Sequence, residues 1–256
     1  MKTIDISWLD LAYIYVLLLI PLALMYVYRI GLIKRTLISI VRMSVQLFLV
    51  GSYLKFIFEL NNLSVNIAWL LVMITVANTN VLGSAGLRKR TLFLLTFTGI
   101  AVSTLGVLSV FVFAAVRPTP PYDARYLIPL VGMLLGNCMR GNIIALERFY
   151  AGIASREKEY MTNIFMGATV REACMPHFRQ ALRASLAPTV STMATMGIVS
   201  LPGMMTGQIL GGSDPMTAIK YQMAIMVAIF VTVSVGVYLN LRLSMRIAFN
   251  RRSMLR

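Results

Sequence analysis

Long apolar runs, separated by short polar or charged connections, organise this chain. A helix needs about 20 predominantly apolar residues to cross the hydrocarbon core of a bilayer. Seven stretches meet that length, at 8–28, 37–57, 65–83, 92–116, 126–146, 186–209 and 219–241. The pattern predicts an all-α integral membrane protein of about seven transmembrane helices, forming one membrane domain over 1–256. The first stretch does not read as a cleaved signal peptide. It is preceded by Asp5 and carries Trp8 and Asp10 where a basic run would stand, and no small-residue cleavage site follows.

The polar interruptions carry as much information as the runs. Residues 117–125, RPTPPYDAR, predict an extended proline-rich connection. The connections on that side are too short for a ligand-binding ectodomain. Residues 200–215, SLPGMMTGQILGGSDP, predict a break in the sixth span near Pro202-Gly203, either as irregular backbone at a substrate path or as an ordinary turn. Residues 147–183 form a charged block between the fifth and sixth spans, with helix signals of its own. Ser155 precedes Glu157 and Glu159 as a candidate N-cap with acids in the first turn. Tyr160, Met161, Ile164, Phe165 and Ala168 recur at helical spacing, and Gly167 is placed as a stop. Thr169 and Glu172 make a capping box for a second helix, which Pro176 is expected to kink or end. The block therefore predicts two short helices whose apolar face is exposed unless a partner covers it. One reading lays that face on the bilayer, with Arg156 and Lys158 at the headgroups. The other seats it in the groove of a soluble partner, and the first-turn acids favour this one because they are poorly placed against anionic lipid.

Charge then sets the expected orientation. Of 24 Lys and Arg residues, only Lys2, Lys55, Arg117, Arg125 and Lys220 fall on one side of the predicted topology. The rest cluster after spans 1, 3 and 5 and in the tail. The positive-inside rule places the N-terminus outside and the C-terminus in the cytoplasm. The net charge of +15 is thus a topological excess facing anionic lipid, and no nucleic-acid reading motif accompanies it. Apolar residues make up 58% and charged ones 13%, about half the charged share of a soluble domain. Cys138 and Cys174 stand far apart, which argues against a disulfide framework or a zinc site.

Polar groups inside spans are costly and often functional. Gln46, Asn78, Asn80, Asn137 and Cys138 are the candidate substrate-path residues, with interhelical hydrogen bonding as their alternative role. Arg42 and Arg140 are expected to snorkel to the inner interface. Gly132-x-x-x-Gly136 and Gly207-x-x-x-Gly211 are candidate close-contact motifs. Met193, Met196, Met204, Met205, Met223 and Met226 concentrate in the last two spans, where thioethers serve either as packing filler or as soft-metal donors. No acidic cluster implies a preformed metal cage, and no catalytic constellation or cofactor motif is present. Glu147 and His177 are the two residues through which acid–base work stays open. There is no G-x-x-x-x-G-K-[ST] phosphate loop, so any ATP-driven action needs a separate subunit.

The stretches ALERFYAGI (145–153), EYMTNIFMGATVREACMPHFRQALRASLAPTVSTMATMGIVSLPGMMTGQILGG (159–212) and DPMTAIKYQ (214–222) resemble the Fet-type iron-export family of ABC transporter permeases, whose plant relatives are tied to aluminium tolerance. The resemblance implies a non-enzymatic permease subunit in the bacterial inner (cytoplasmic) membrane. It also implies pairing as a homodimer with separate ATP-binding ABC subunits, and outward movement of metal ions, iron first. On that reading Glu159, Tyr160, Met161, Ile164, Phe165, Gly167, Thr169 and Glu172 form the ATPase-coupling segment. The Met-Gly-Ala-Thr at 166–169 also resembles the coupling loop of ABC importer permeases, but Glu159 lies too far before Gly167 and Pro188 too far after it for that pattern. A self-sufficient secondary transporter or channel for a small solute is the alternative function, and a membrane scaffold is a third.

Overall fold

The computed structural model describes residues 6–86 and 90–247, all of them in helices or their connections apart from one isolated bridge between Met196 and Ser200. Ten helices follow in order: α1 Trp8–Val16, α2 Leu19–Val27, α3 Ile33–Leu60, α4 Leu63–Ser84, α5 Arg90–Val110, α6 Ala124–Ser155, α7 Glu157–Phe165, α8 Val170–Thr195, α9 Gly203–Leu210 and α10 Pro215–Ile247. A π-helical stretch, Phe111–Val116, continues α5.

Among the described residues, six spans are long and apolar enough to cross a membrane: α1 with α2, then α3, α4, α5 with its π extension, α6 and α10. The first is expected as one helix and is interrupted by a turn at Leu17-Leu18. Pro21 supplies the reason, since it has no N–H for the Leu17 carbonyl and its ring crowds that carbonyl. The seventh expected span, 186–209, is not one helix. Its first part is the end of α8 and its last part is α9, with residues 196–202 irregular between them. The predicted break near Pro202-Gly203 is present, and it is seven residues wide.

The core is built where α6 and α10 meet α4, α5 and α8. Leu134, Cys138, Ala145, Leu146, Phe149 and Ile153 line the inner side of α6 and are almost fully buried. Ile225, Ile229, Val233, Val237 and Leu241 recur every four residues along α10 and bury against them. Helices α1 and α2 bury no residue, and α3 buries Ile57 alone. Lipid tails are as apolar as leucine, so such faces are at no disadvantage in a bilayer.

Two hydrogen bonds tie connections together at one end of the bundle. Asn61, left-handed at φ 34, accepts from Ala124 N at 3.1 Å, and Asn66 Nδ2 donates to Tyr122 O at 2.8 Å. The turn between α3 and α4 and the connection into α6 therefore lie on the same side, as the alternating topology requires. The 117–125 connection is not extended as expected. It turns, with a cis Thr119–Pro120 peptide, and Asp123 caps α6 by accepting from Arg125 N at 3.0 Å.

The 147–183 block is not a separate insert. Helix α6 runs through to Ser155, whose hydroxyl donates to Gly152 O at 3.0 Å instead of capping the next helix. Helix α8 starts at the predicted capping box but passes both Pro176 and Pro188 without ending.

Candidate functional site

Three helices meet at a polar knot in the middle of the bundle. Asn240 Nδ2 on α10 donates to Asn142 Oδ1 on α6 at 2.7 Å. Asn142 Nδ2 donates to Cys138 O at 2.8 Å and reaches Cys138 Sγ at 3.3 Å. Ser103 on α5 lies 3.8 Å from the same sulfur. Two glycines make this approach possible. A Cβ on Gly236 would stand 2.7 Å from Cys138 Sγ and 2.8 Å from Ser103 Oγ, and one on Gly99 would run into the Asn240 amide. Buried amides paired across helices hold a membrane bundle together without needing a ligand. Cys138 is fully enclosed by this knot.

Beside the knot lies a cavity of about 390 Å³ between α6, α8, α9 and α10. Its polar lining is Asn137, Arg140, Ser185, Thr189, Thr192 and Gln222, and the irregular 200–202 segment closes part of it. Met133, Met196, Met204 and Met226 supply apolar, polarisable wall. Gln222 Nε2 donates to Met196 Sδ at 3.9 Å, tying the break after α8 to α10. No acidic residue lines the cavity, and among the described residues no group of three or more His, Cys, Asp or Glu is placed to hold a metal ion.

The five expected path residues are not gathered into one place. Asn137 lines the cavity, with Nδ2 donating to Met133 O at 2.9 Å. Cys138, its neighbour in sequence, turns into the knot. Asn78 is buried on α4 and donates to Phe93 O on α5 at 2.9 Å, a helix-to-helix bond. Asn80 is exposed on α4 and accepts from Ser84 Oγ at 3.1 Å. Gln46 is exposed on α3, away from the core. Arg140, expected only to snorkel, is on the cavity wall. Of the six late methionines, Met196, Met204 and Met226 line it, Met205 is buried, and Met193 and Met223 face outward. The Gly132 motif makes no tight contact: a Cβ at Gly132 would meet Met73 Cε at 3.6 Å, and one at Gly136 nothing within 4 Å. Ser103, Asn240, Gly99 and Gly236 are absent from the sequence expectations, since single small or amide residues in apolar runs carry no local signature.

The residues of the 147–183 block build a capped elbow. Helix α7 ends at Phe165, Gly167 turns the chain at φ +93, and Thr169 caps α8. The capping box closes both ways: Thr169 N donates to Glu172 Oε2 at 2.8 Å and Glu172 N to Thr169 Oγ1 at 3.3 Å. The Thr169 hydroxyl, which donates to Glu172 Oε2 at 2.7 Å, and then the Thr169 N–H hold the Glu172 carboxyl below the usual carboxylate range. The apolar face of α7 is covered largely by the protein itself, which corrects the expectation that it waits for a partner. Tyr160 is buried, Met161 and Ile164 pack on the core, and Glu159 is exposed beside Arg156 at 3.9 Å. Burial pushes the Tyr160 hydroxyl to about 12 and the Cys174 thiol to about 12, so Cys174 is an inert packing thiol. At the tip, Phe165 and Met166 remain 82% and 80% exposed. His177 is buried under the elbow, and a Cβ on Gly152 would stand 3.1 Å from its Nδ1. Burial, then the nearby Arg156, lower its pKa, with Glu159 opposing. Glu147 is exposed on α6.

Six apolar spans among the described residues, two of which, α6 and α10, line a polar cavity, define a multi-pass helical membrane protein. The profile of the UPF0014 family, described as an uncharacterised protein family, matches residues 8–249, and the chain belongs to that family. It is 35% identical to the UPF0014 membrane protein slr1647 of Synechocystis over 90% of this chain and 88% of that one. It is 30% identical to the probable iron export permease protein FetB of Escherichia coli over 100% of this chain and 97% of that one. It is also 33% identical to the protein ALUMINUM SENSITIVE 3 of Arabidopsis thaliana, over 82% and 76% of the two chains. No solved structure matches it.

Proposed function

We propose that this chain is the membrane-spanning permease subunit of an ATP-driven exporter, working as a homodimer with separate ATP-binding subunits and moving metal ions, iron first, out of a bacterial cytoplasm. One observation carries the proposal. An elbow formed by Gly167 and the Thr169–Glu172 box leaves two large apolar side chains, Phe165 and Met166, exposed at its tip. Surface apolar groups on a rigid capped turn are what a groove on a soluble subunit takes as anchors. The orientation follows the basic residues, with the N-terminus outside and the elbow and C-terminus in the cytoplasm, where ATP is, and the end of α8 together with α9 makes the seventh crossing that this orientation needs. The relation to a protein named as a probable iron export permease supports the cargo. The path runs through the α6–α8–α10 cavity at Asn137, while Asn78 and Cys138 fasten helices around it.

The experiment uses the tip. A cysteine in place of Phe165 is expected to be labelled from the cytoplasmic side only, and to be shielded by the ATP-binding subunit. Phe165→Asp with Met166→Asp is expected to abolish co-purification of that subunit while the permease still inserts, because desolvated anchors are each typically worth about 2 kcal/mol or more. Labelling from the outer side, or full retention of the subunit by the double variant, contradicts the proposal. Ile164 is not a suitable target, since it packs on the permease's own core.

A further inference from the structure

We propose that the α6–α8–α10 cavity is a binding site for a small anionic, oxygen-rich organic ligand, taken either free or as the chelate of a metal ion. The proposal deepens the transport reading and rests on it for the role of the cavity. The binding itself belongs to this chain alone.

Arg140 carries the argument. It is exposed in the structure and stands midway along the 32-residue α6, inside the segment long and apolar enough to cross a membrane. An arginine within such a segment pairs with another group or faces a water-filled cavity. Arg140 makes no hydrogen bond or ion pair among the described residues, and it lines the cavity. With no Asp or Glu on the same wall, the site carries one fixed positive charge and no counter-charge. A bare divalent cation is repelled there. A carboxylate or phosphate is drawn in, because the planar guanidinium fork matches either group with two parallel hydrogen bonds.

The neutral lining fits the same class of ligand. Asn137 spends one amide hydrogen on Met133 O at 2.9 Å, which leaves the second for an acceptor. Ser185 and Thr192 direct their hydroxyl protons to Leu182 O at 2.8 Å and Pro188 O at 2.9 Å. Their oxygens are left as acceptors, suited to a ligand hydroxyl. The thioether wall, with Met196 and Met226, offers apolar surface to a carbon skeleton. A volume of about 390 Å³ lies within the range of small-molecule pockets and far exceeds that of a single dehydrated ion.

The test is equilibrium dialysis of the purified chain in detergent, without any ATP-binding subunit. Three samples are compared: radiolabelled citrate alone, ferric citrate, and iron(II) alone under a reductant. The expected result is saturable binding of citrate or ferric citrate, weakened at least tenfold by Arg140→Gln and less by Arg140→Lys, with iron(II) alone not retained. Equal binding of free and iron-loaded citrate identifies an organic anion as the ligand, and preference for the loaded form identifies the chelate. Retention of iron(II) alone overturns the proposal. So does the absence of saturable binding by either form of citrate, or citrate binding that Arg140→Gln leaves unchanged. Should Arg140→Gln fail to purify intact, the wild-type samples and Arg140→Lys still decide. A negative result here leaves the docking of the elbow standing, and loss of docking at Phe165 leaves this site standing.

Discussion

At the scale of single residues, the bundle depends on side chains that are missing. Gly236 faces Cys138 and Ser103 so closely that a methyl group there has no room. Gly236→Ala is expected to lower stability by about 1–3 kcal/mol, the usual cost of overpacking, and to lower the apparent Tm in detergent. Gly106→Ala is the control, because its Cβ meets nothing within 4 Å. Equal melting of the two variants would mean that the knot is loose. Few of these contacts are legible in the sequence. An asparagine in an apolar run declares itself as polar, but only the register of α6 against α10 decides whether it faces a helix or a cavity. Asn137 and Asn142 are five residues apart and have different fates for that reason. The Gly132 motif failed in the same way, since glycine spacing specifies close approach only when the facing helix presents a side chain to fill the groove.

At the scale of elements, local signals were readable and tertiary ones were not. The capping box at Thr169 and Glu172 needs only four residues and stands as read, and so does the Pro202-Gly203 break. Ser155 is taken up as the last residue of α6 and does not cap α7, because the apolar face of α6 continues to Ile153 and keeps the helix going. Tyr160 reads as exposed because the surface that buries it comes from α6 and α8 and not from its own helix. The elbow also has a pH signature. Burial and Arg156 depress the His177 pKa below its ordinary 6.5. The histidine is therefore neutral in both states above that value, and its full contribution to stability is present there. As pH falls through 6.5, the unfolded chain takes up the proton first, and stability declines until the lower folded pKa is reached. The apparent Tm is expected to fall between pH 7.5 and 5.5, and His177→Gln is expected to flatten that fall. An unchanged slope in the variant would place the sensitivity elsewhere.

At the scale of the whole molecule, the hydrophobic pattern gave the membrane class and six of the spans, because span length is a property of the bilayer and is written in each segment separately. The seventh segment is divided because Gly197, left-handed at φ 88, and Pro202 oppose a continuous helix, and the gap between α8 and α9 forms part of the cavity wall. The proposed function rests at this scale on two surfaces: a cavity with one unpaired, exposed arginine on its wall, and two exposed apolar side chains on a capped elbow. A secondary transporter needs only the first, whereas an ATP-driven permease needs both. The deciding measurement is export of iron, supplied as ferric citrate, from proteoliposomes holding this chain together with its co-purified ATP-binding subunit, with and without ATP. The account predicts movement that requires ATP and the subunit and is lost in the Phe165→Asp, Met166→Asp variant. Equal movement by this chain alone, without nucleotide, would contradict it.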